Sequence, residues 1–244
     1  MTNVNYRIRM GLVGQLEAIR DAIPRLNNAA TVVPSDFQGT FVERRSDAQV
    51  VEYDMHPVML ILPERVDDTE AEMHIVLEGR ITIDKTHFSE HRQLRTISFG
   101  TQVGYFRLKK NDGVLQHVFG AHYDLTENET GHPAFHAQLK HKLEFADIVQ
   151  KKYTGQTLDT KNFMENLLKT ARLPSAQMDV FAFLLQAVAD HLMSPSLSTD
   201  DDKKVFNGLL GKNKEIQGRG YSIQRLQEQS ATICYRSVHW YPTV

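Results

Sequence analysis

From residue 37 to residue 141 this chain alternates apolar and polar residues, and after His141 the spacing of apolar residues lengthens to the helical period of about 3.6. That switch limits the possible folds more than any motif does. Side chains alternate across a strand and recur every three or four residues along a helix. A chain patterned this way is expected to be α+β, with helices segregated from an antiparallel β-meander of about five to seven strands. Val50 to Leu62 is rich in β-formers but interrupted at His56-Pro57, which predicts an edge or a bulge there. Met73, Ile75 and Leu77 alternate with polar neighbours and Ile81 and Ile83 continue after Gly79, giving another strand or a tight hairpin. Leu94 to Leu108 reads as a long strand, and Asp112-Gly113 supplies the turn of a two-residue hairpin.

The flanks read as helix. Ile8, Leu12, Leu16, Ile19, Ile23 and Leu26 form an apolar stripe that Pro24 should end or kink, and Asn27 to Ser35 reads as a loop. Beyond His141, Leu143, Ile148, Val149, Phe163, Leu167 and Leu168 begin the helical pattern. Ser175 can cap a helix whose stripe is Met178, Phe181, Leu185, Val188 and Leu192. Ser196 to Lys203, with Asp200 to Asp202, reads as a solvated loop before a short helix around Val205 to Leu210. Ala231 to Tyr241 alternates again and is expected to return to the sheet. The expected organisation is one domain over 1–244: an N-terminal helix (1–30), an antiparallel sheet (37–141), a helical part (142–230) and a returning strand (231–241).

A net charge of −2 excludes a global field that would draw the protein to nucleic acid or to an anionic membrane. The single cysteine, Cys234, excludes an intrachain disulfide framework. With no secretion signal and no apolar run of membrane-spanning length, a cytoplasmic protein without a membrane partner is expected. A glycine-rich phosphate loop, a nucleophile elbow and a nicotinamide fingerprint are not found, and the reading finds no compact metalloprotease or zinc-finger signature.

Candidate chemistry concentrates in Val114 to His141, which holds five of the eleven histidines. Alternation places Leu115, His117, Phe119, Ala121, Tyr123 and Leu125 on one face and Gln116, Val118, Gly120, His122 and Asp124 on the other. After the loop Thr126 to Pro133, Phe135, Ala137 and Leu139 share one face and His136, Gln138 and Lys140 the opposite one. An antiparallel hairpin with the apolar sets together lays His122 and Asp124 across from His136 and Gln138, within hydrogen-bonding reach. A neutral imidazole accepts a proton near neutral pH, a carboxylate fixes its tautomer and a second imidazole donates, so His122, Asp124 and His136 are the candidate catalytic residues. Tyr123, Gln138, Lys140 and Arg107 are candidate substrate-binding residues, with Lys140 or Arg107 neutralising phosphate charge. The same groups suit a divalent metal, for which His122, His132 and His136 are the candidate ligands. The solvated face of a sheet would also read this way.

The order Tyr123-Asp124, a loop, His132-Pro133 and then His136 resembles an aromatic-Asp…His-Pro…His core of small uncharacterised bacterial proteins encoded near toxin–antitoxin and phage-defence genes. The resemblance spans about 15 residues of 244 and implies a small cytoplasmic effector or accessory acting on RNA. Three functions follow as expectations: a His/Asp site that cleaves a phosphodiester, a non-catalytic module docking a protein partner through its helical part, and a metal-dependent enzyme.

Overall fold

Helix α1 (Val4–Leu26) presents the stripe Ile8, Leu12, Leu16, Ile19 and Ile23 to one face of a large sheet, and all five side chains are buried there. The structure is a computed structural model whose described residues are 4–66, 69–109, 113–125, 135–139, 157–159, 172–174, 179–193 and 198–217. Within them the chain runs α1, β1 (Thr31–Val33), β2 (Phe41–Ser46), β3 (Val50–Val66), β4 (Thr69–Asp84), α2 (Lys85–His91), β5 (Thr96–Lys109), β6 (Val114–Leu125), β7 (Phe135–Leu139), β8 (Thr157–Asp159), β9 (Arg172–Pro174), α3 (Val180–Leu192) and α4 (Asp200–Gln217). The fold is α+β. Among the described residues no helix is long and apolar enough to cross a membrane.

The centre of the sheet is the antiparallel meander β3-β4-β5-β6-β7, as the alternation predicts. Strands β1 and β2 share one edge of β3, β9 adds to β7, and β8 pairs parallel with the start of β6. Strands β8 and β9 fall inside the span read as helical, and β1 inside the span read as a loop. Each is three residues long, too short to establish a period of its own. The returning strand expected over 231–241 lies outside the described residues, as do Cys234 and Trp240.

Register separates the two faces of the sheet. Val51, Tyr53, Met55, Val58, Leu60 and Leu62 of β3 meet Ile83, Ile81, Gly79, Leu77, Ile75 and Met73 of β4 on the core face, under α1 and α3. Each fully buried apolar side chain there contributes about 1.5–3 kcal/mol. The far face carries a second, smaller cluster of Met59, Val76, Phe106 and Leu115, and beyond it the polar residues described below.

Two of the register shifts in the described sheet shape this frame. In β3 the register steps between Met55 and Val58, at His56-Pro57. Proline cannot donate to a ladder, so the expected interruption takes the form of a bulge within a strand paired on both sides. The second bulge breaks the alternation read in β6. Tyr105 opposes Phe119 and Phe106 opposes His117, leaving Val118 as an extra residue. Leu115 and His117 therefore share the far face with His122 and Asp124 instead of lying with Phe119 and Tyr123. Val118 is 53% exposed and His117 packs its ring 5.3 Å from that of Phe106.

Local caps correct two further expectations. The start of α3 is set by Asp179, fully buried, whose carboxylate accepts from the N–H groups of Phe181 and Ala182 at 3.0 and 2.9 Å; Ser175 lies outside the described residues. The aspartates at 200–202 form the first turn of α4, where negative charge complements the helix dipole. The last described pair between β5 and β6 is Lys109 with Val114, and Gly113 takes φ +61°; Asp112, the other residue of the expected two-residue turn, lies outside the described residues. The apolar stripe of α3 is consumed by the core, since Val180, Phe181, Leu184, Leu185 and Val188 are buried, which removes it as a docking face for a partner.

Gly79 packs directly on the backbone of Gly100: a Cβ on Gly79 would overlap the Gly100 carbonyl oxygen. Backbone, not a flexible side chain, is in the way. Gly79→Ala should destabilise the fold by about 3 kcal/mol or more, at or above the upper end of ordinary overpacking, read as a lower urea midpoint; an unchanged midpoint would show that the two strands separate freely.

Candidate functional site

Beyond the second apolar cluster, the far face presents two polar rows. Glu78, Gln102, His122 and Gln138 oppose one another across β4 to β7, and Asp54, Arg80, Gly100, Asp124 and His136 follow in the next row. The hairpin lays His122 and Asp124 across from His136 and Gln138, as the alternation predicts, and its register pairs His122 with Gln138 and Asp124 with His136. Residues two apart on a strand share a face. His122 Nε2 and Asp124 Oδ2 accordingly meet at 2.9 Å, both part-buried. His122 Nδ1 is buried and has no hydrogen-bond partner among the described residues.

These residues line a trough of about 670 Å³ whose floor is Gly79 and Gly100 and whose walls include Glu52, Asp54, His56, Glu78, Arg80, Gln102, His122 and Asp124. The missing side chain at Gly100 opens the floor. A Cβ there would stand 3.6 Å from Cε1 of His122, against the imidazole. On the opposite wall Arg80 Nε lies 3.1 Å from Asp54 and 3.6 Å from Glu52, and Arg44 approaches the same two carboxylates at 3.7 and 3.4 Å. Both arginines are about half exposed, so these pairs contribute little to stability and serve mainly to orient the carboxylates. A groove of the same volume between α1 and α4 is lined by mixed charges, including Asp21, Arg25, Asp201 and Lys212, with no histidine.

The other sequence-predicted residues divide between the two faces. Tyr123 turns to the core face, where its ring lies 5.7 Å from Phe183 and burial raises its hydroxyl pKa. Arg107 shares that face, opposite Met73 and Gln116, away from His122. His132 and Lys140 lie outside the described residues, and of His136 only the backbone position is described. Among the described residues no group of three or more His, Cys, Asp or Glu side chains is placed to hold a metal ion.

Sequence reasoning passed over one compact pattern. His87-Phe88-Ser89-Glu90-His91 has the H-x-x-E-H order of an inverted zinc-peptidase motif. It occupies α2, and the two rings lie side by side with centroids 4.5 Å apart. The signal was the spacing of two histidines by four, masked by the denser histidine stretch downstream. Compared with protein-family models, curated proteins and solved structures, the chain matches none.

A buried histidine also lies on the far face. His74 is 1% exposed and its Nε2 is 3.1 Å from Glu72. Burial holds its pKa below the ordinary imidazole value, against the smaller opposing pull of the Glu72 carboxylate. As pH falls below the unfolded value of about 6.5, the unfolded chain takes up a proton that the folded chain resists. Stability is then full above that pH and declines as pH falls toward the folded-state value. Unfolding free energy measured in urea from about pH 7 down to about pH 5 should decrease for the wild type and decrease less steeply for His74→Gln; identical slopes would show that His74 does not titrate differently on folding.

Proposed function

We propose that this protein binds a small polar ligand bearing a cationic or hydrogen-donating nitrogen in the far-face trough, between the His122–Asp124 wall and the Glu52–Asp54–Arg80 wall. The observation that carries this reading is the convergence of the His122–Asp124 pair with a trough of about 670 Å³, a volume typical of small-molecule sites.

The charge of the lining supports the ligand class. Glu52, Asp54, Glu78 and Asp124 face the trough with Arg80 as the arginine among its lining residues. With Arg44 and Arg45 also reaching Glu52 and Asp54, the four carboxylates stand against three arginines, so the surroundings do not favour an anionic phosphodiester, and the Arg107 expected to neutralise it belongs to the core face. A protonated amine or guanidinium meets complementary charge instead. His122 Nε2 is held by Asp124 Oδ2 and its Nδ1 is buried, so the group of this pair that a ligand N–H can meet is the Asp124 carboxylate.

Agmatine, arginine and spermidine serve as cationic probes, with adenosine monophosphate and inorganic phosphate as anionic counterparts. Binding of at least one amine should appear by calorimetry and as a raised thermal midpoint. Asp124→Asn should weaken it about tenfold, the order expected for a hydrogen bond to a charged group. Binding confined to the phosphate-bearing probes, or unaffected by Asp124→Asn, would reject the assignment.

A further inference from the structure

The helix joining β4 to β5 carries a second arrangement with chemistry of its own. Asp84 caps α2 by accepting from the N–H of His87 at 2.9 Å, Phe88 anchors the helix in the core, and Arg92 closes it at φ 59°, its N–H donating to the Phe88 carbonyl. His87 and His91 therefore stand one turn apart on a helix fixed at both ends, on the same side. We infer that His87 and His91 form a two-histidine chelate for a borderline divalent cation, of which Zn²⁺ and Ni²⁺ are the types.

The geometry suits the ion. Zinc–nitrogen bonds of about 2.0–2.1 Å in a tetrahedral site place two ligand nitrogens roughly 3.3 Å apart. Rings with centroids 4.5 Å apart reach that separation by rotation about their own side-chain bonds. Glu90 is adjacent to His91 and so does not chelate beside it, but its carboxylate is 3.6 Å from His91 Nε2. When Nδ1 of His91 takes the metal, Nε2–H is left on the side of that carboxylate, beyond direct hydrogen-bond distance. Asp84 and Glu90 on one side and Arg95 on the other are the charged groups around His87. With two protein ligands the remaining coordination positions stay open to water or to another molecule.

Full-length, untagged protein stripped with EDTA and desalted is titrated with ZnCl₂ by calorimetry. The wild type should take up one equivalent at this site. His91→Ala should lose on the order of 100-fold in affinity, since removing a ligand costs at least what removing its second-shell support does. His91→Cys, which keeps a zinc ligand in place, should recover most of it. His91 is 55% exposed, so both variants should melt with the wild type in EDTA, separating loss of a ligand from loss of fold. Wild-type protein that takes up no zinc, or His91→Ala protein that binds zinc as the wild type does, would overturn the assignment.

Discussion

The apolar seam between α1 and the core face of β3 and β4 is the interaction on which the rest depends. Ile8, Leu12, Leu16 and Ile23 meet Val51, Tyr53, Leu60, Ile75 and Ile83 in one buried cluster, joined by Phe181 and Val188 of α3. Because burial on that side supplies the driving force, the far face is free to combine an apolar patch with a polar trough. The boundary between them is a single step along the strands. Val76, Gly104 and Gly120 share one row, and Glu78, Gln102 and His122 the next.

Much of this was legible in the residues. The strands of the meander, the β3 interruption at Pro57, the α1 stripe and the placement of His122 and Asp124 across from His136 and Gln138 all follow from a period of two or of about 3.6 and from proline's missing donor. What escaped has a common cause: local geometry that no period encodes. One extra residue at Val118 turns Leu115 and His117 to the opposite face from the one alternation assigns, because a side-chain period of two makes any single insertion invert what precedes it. The three aspartates of α4 read as solvated loop for their charge, although a first helical turn is where such charge is most stable. Alternation already places Tyr123 on the apolar face, so its grouping with the histidines rests on closeness in sequence alone; Arg107 is grouped with them by charge, whereas register assigns it to the core face.

Charge then narrows what the trough can hold. Glu52 is largely covered by Arg44, Arg45 and Arg80, which tie the β2 edge to the centre of the sheet. These ion pairs are open to solvent on their arginine side and are screened by salt. They neither fill the trough nor convert it into a basic surface. Asp124, by contrast, is engaged by His122 Nε2 at 2.9 Å, on the wall opposite Arg80.

The two histidine arrangements show why density of a residue type is a poor guide to chemistry. Five histidines crowd the stretch from Val114 to His141, yet the pair that forms there joins one imidazole to a carboxylate, because strand spacing of two brings His122 and Asp124 to one face. Such a pair orients a ring and handles a proton. On α2 the spacing is four and the backbone is helical, so two imidazoles come together with a carboxylate behind one of them. There two imidazoles stand side by side, the placement on which the proposed chelate rests. The same side chain is thus committed to different chemistry by the rise and twist of the element beneath it.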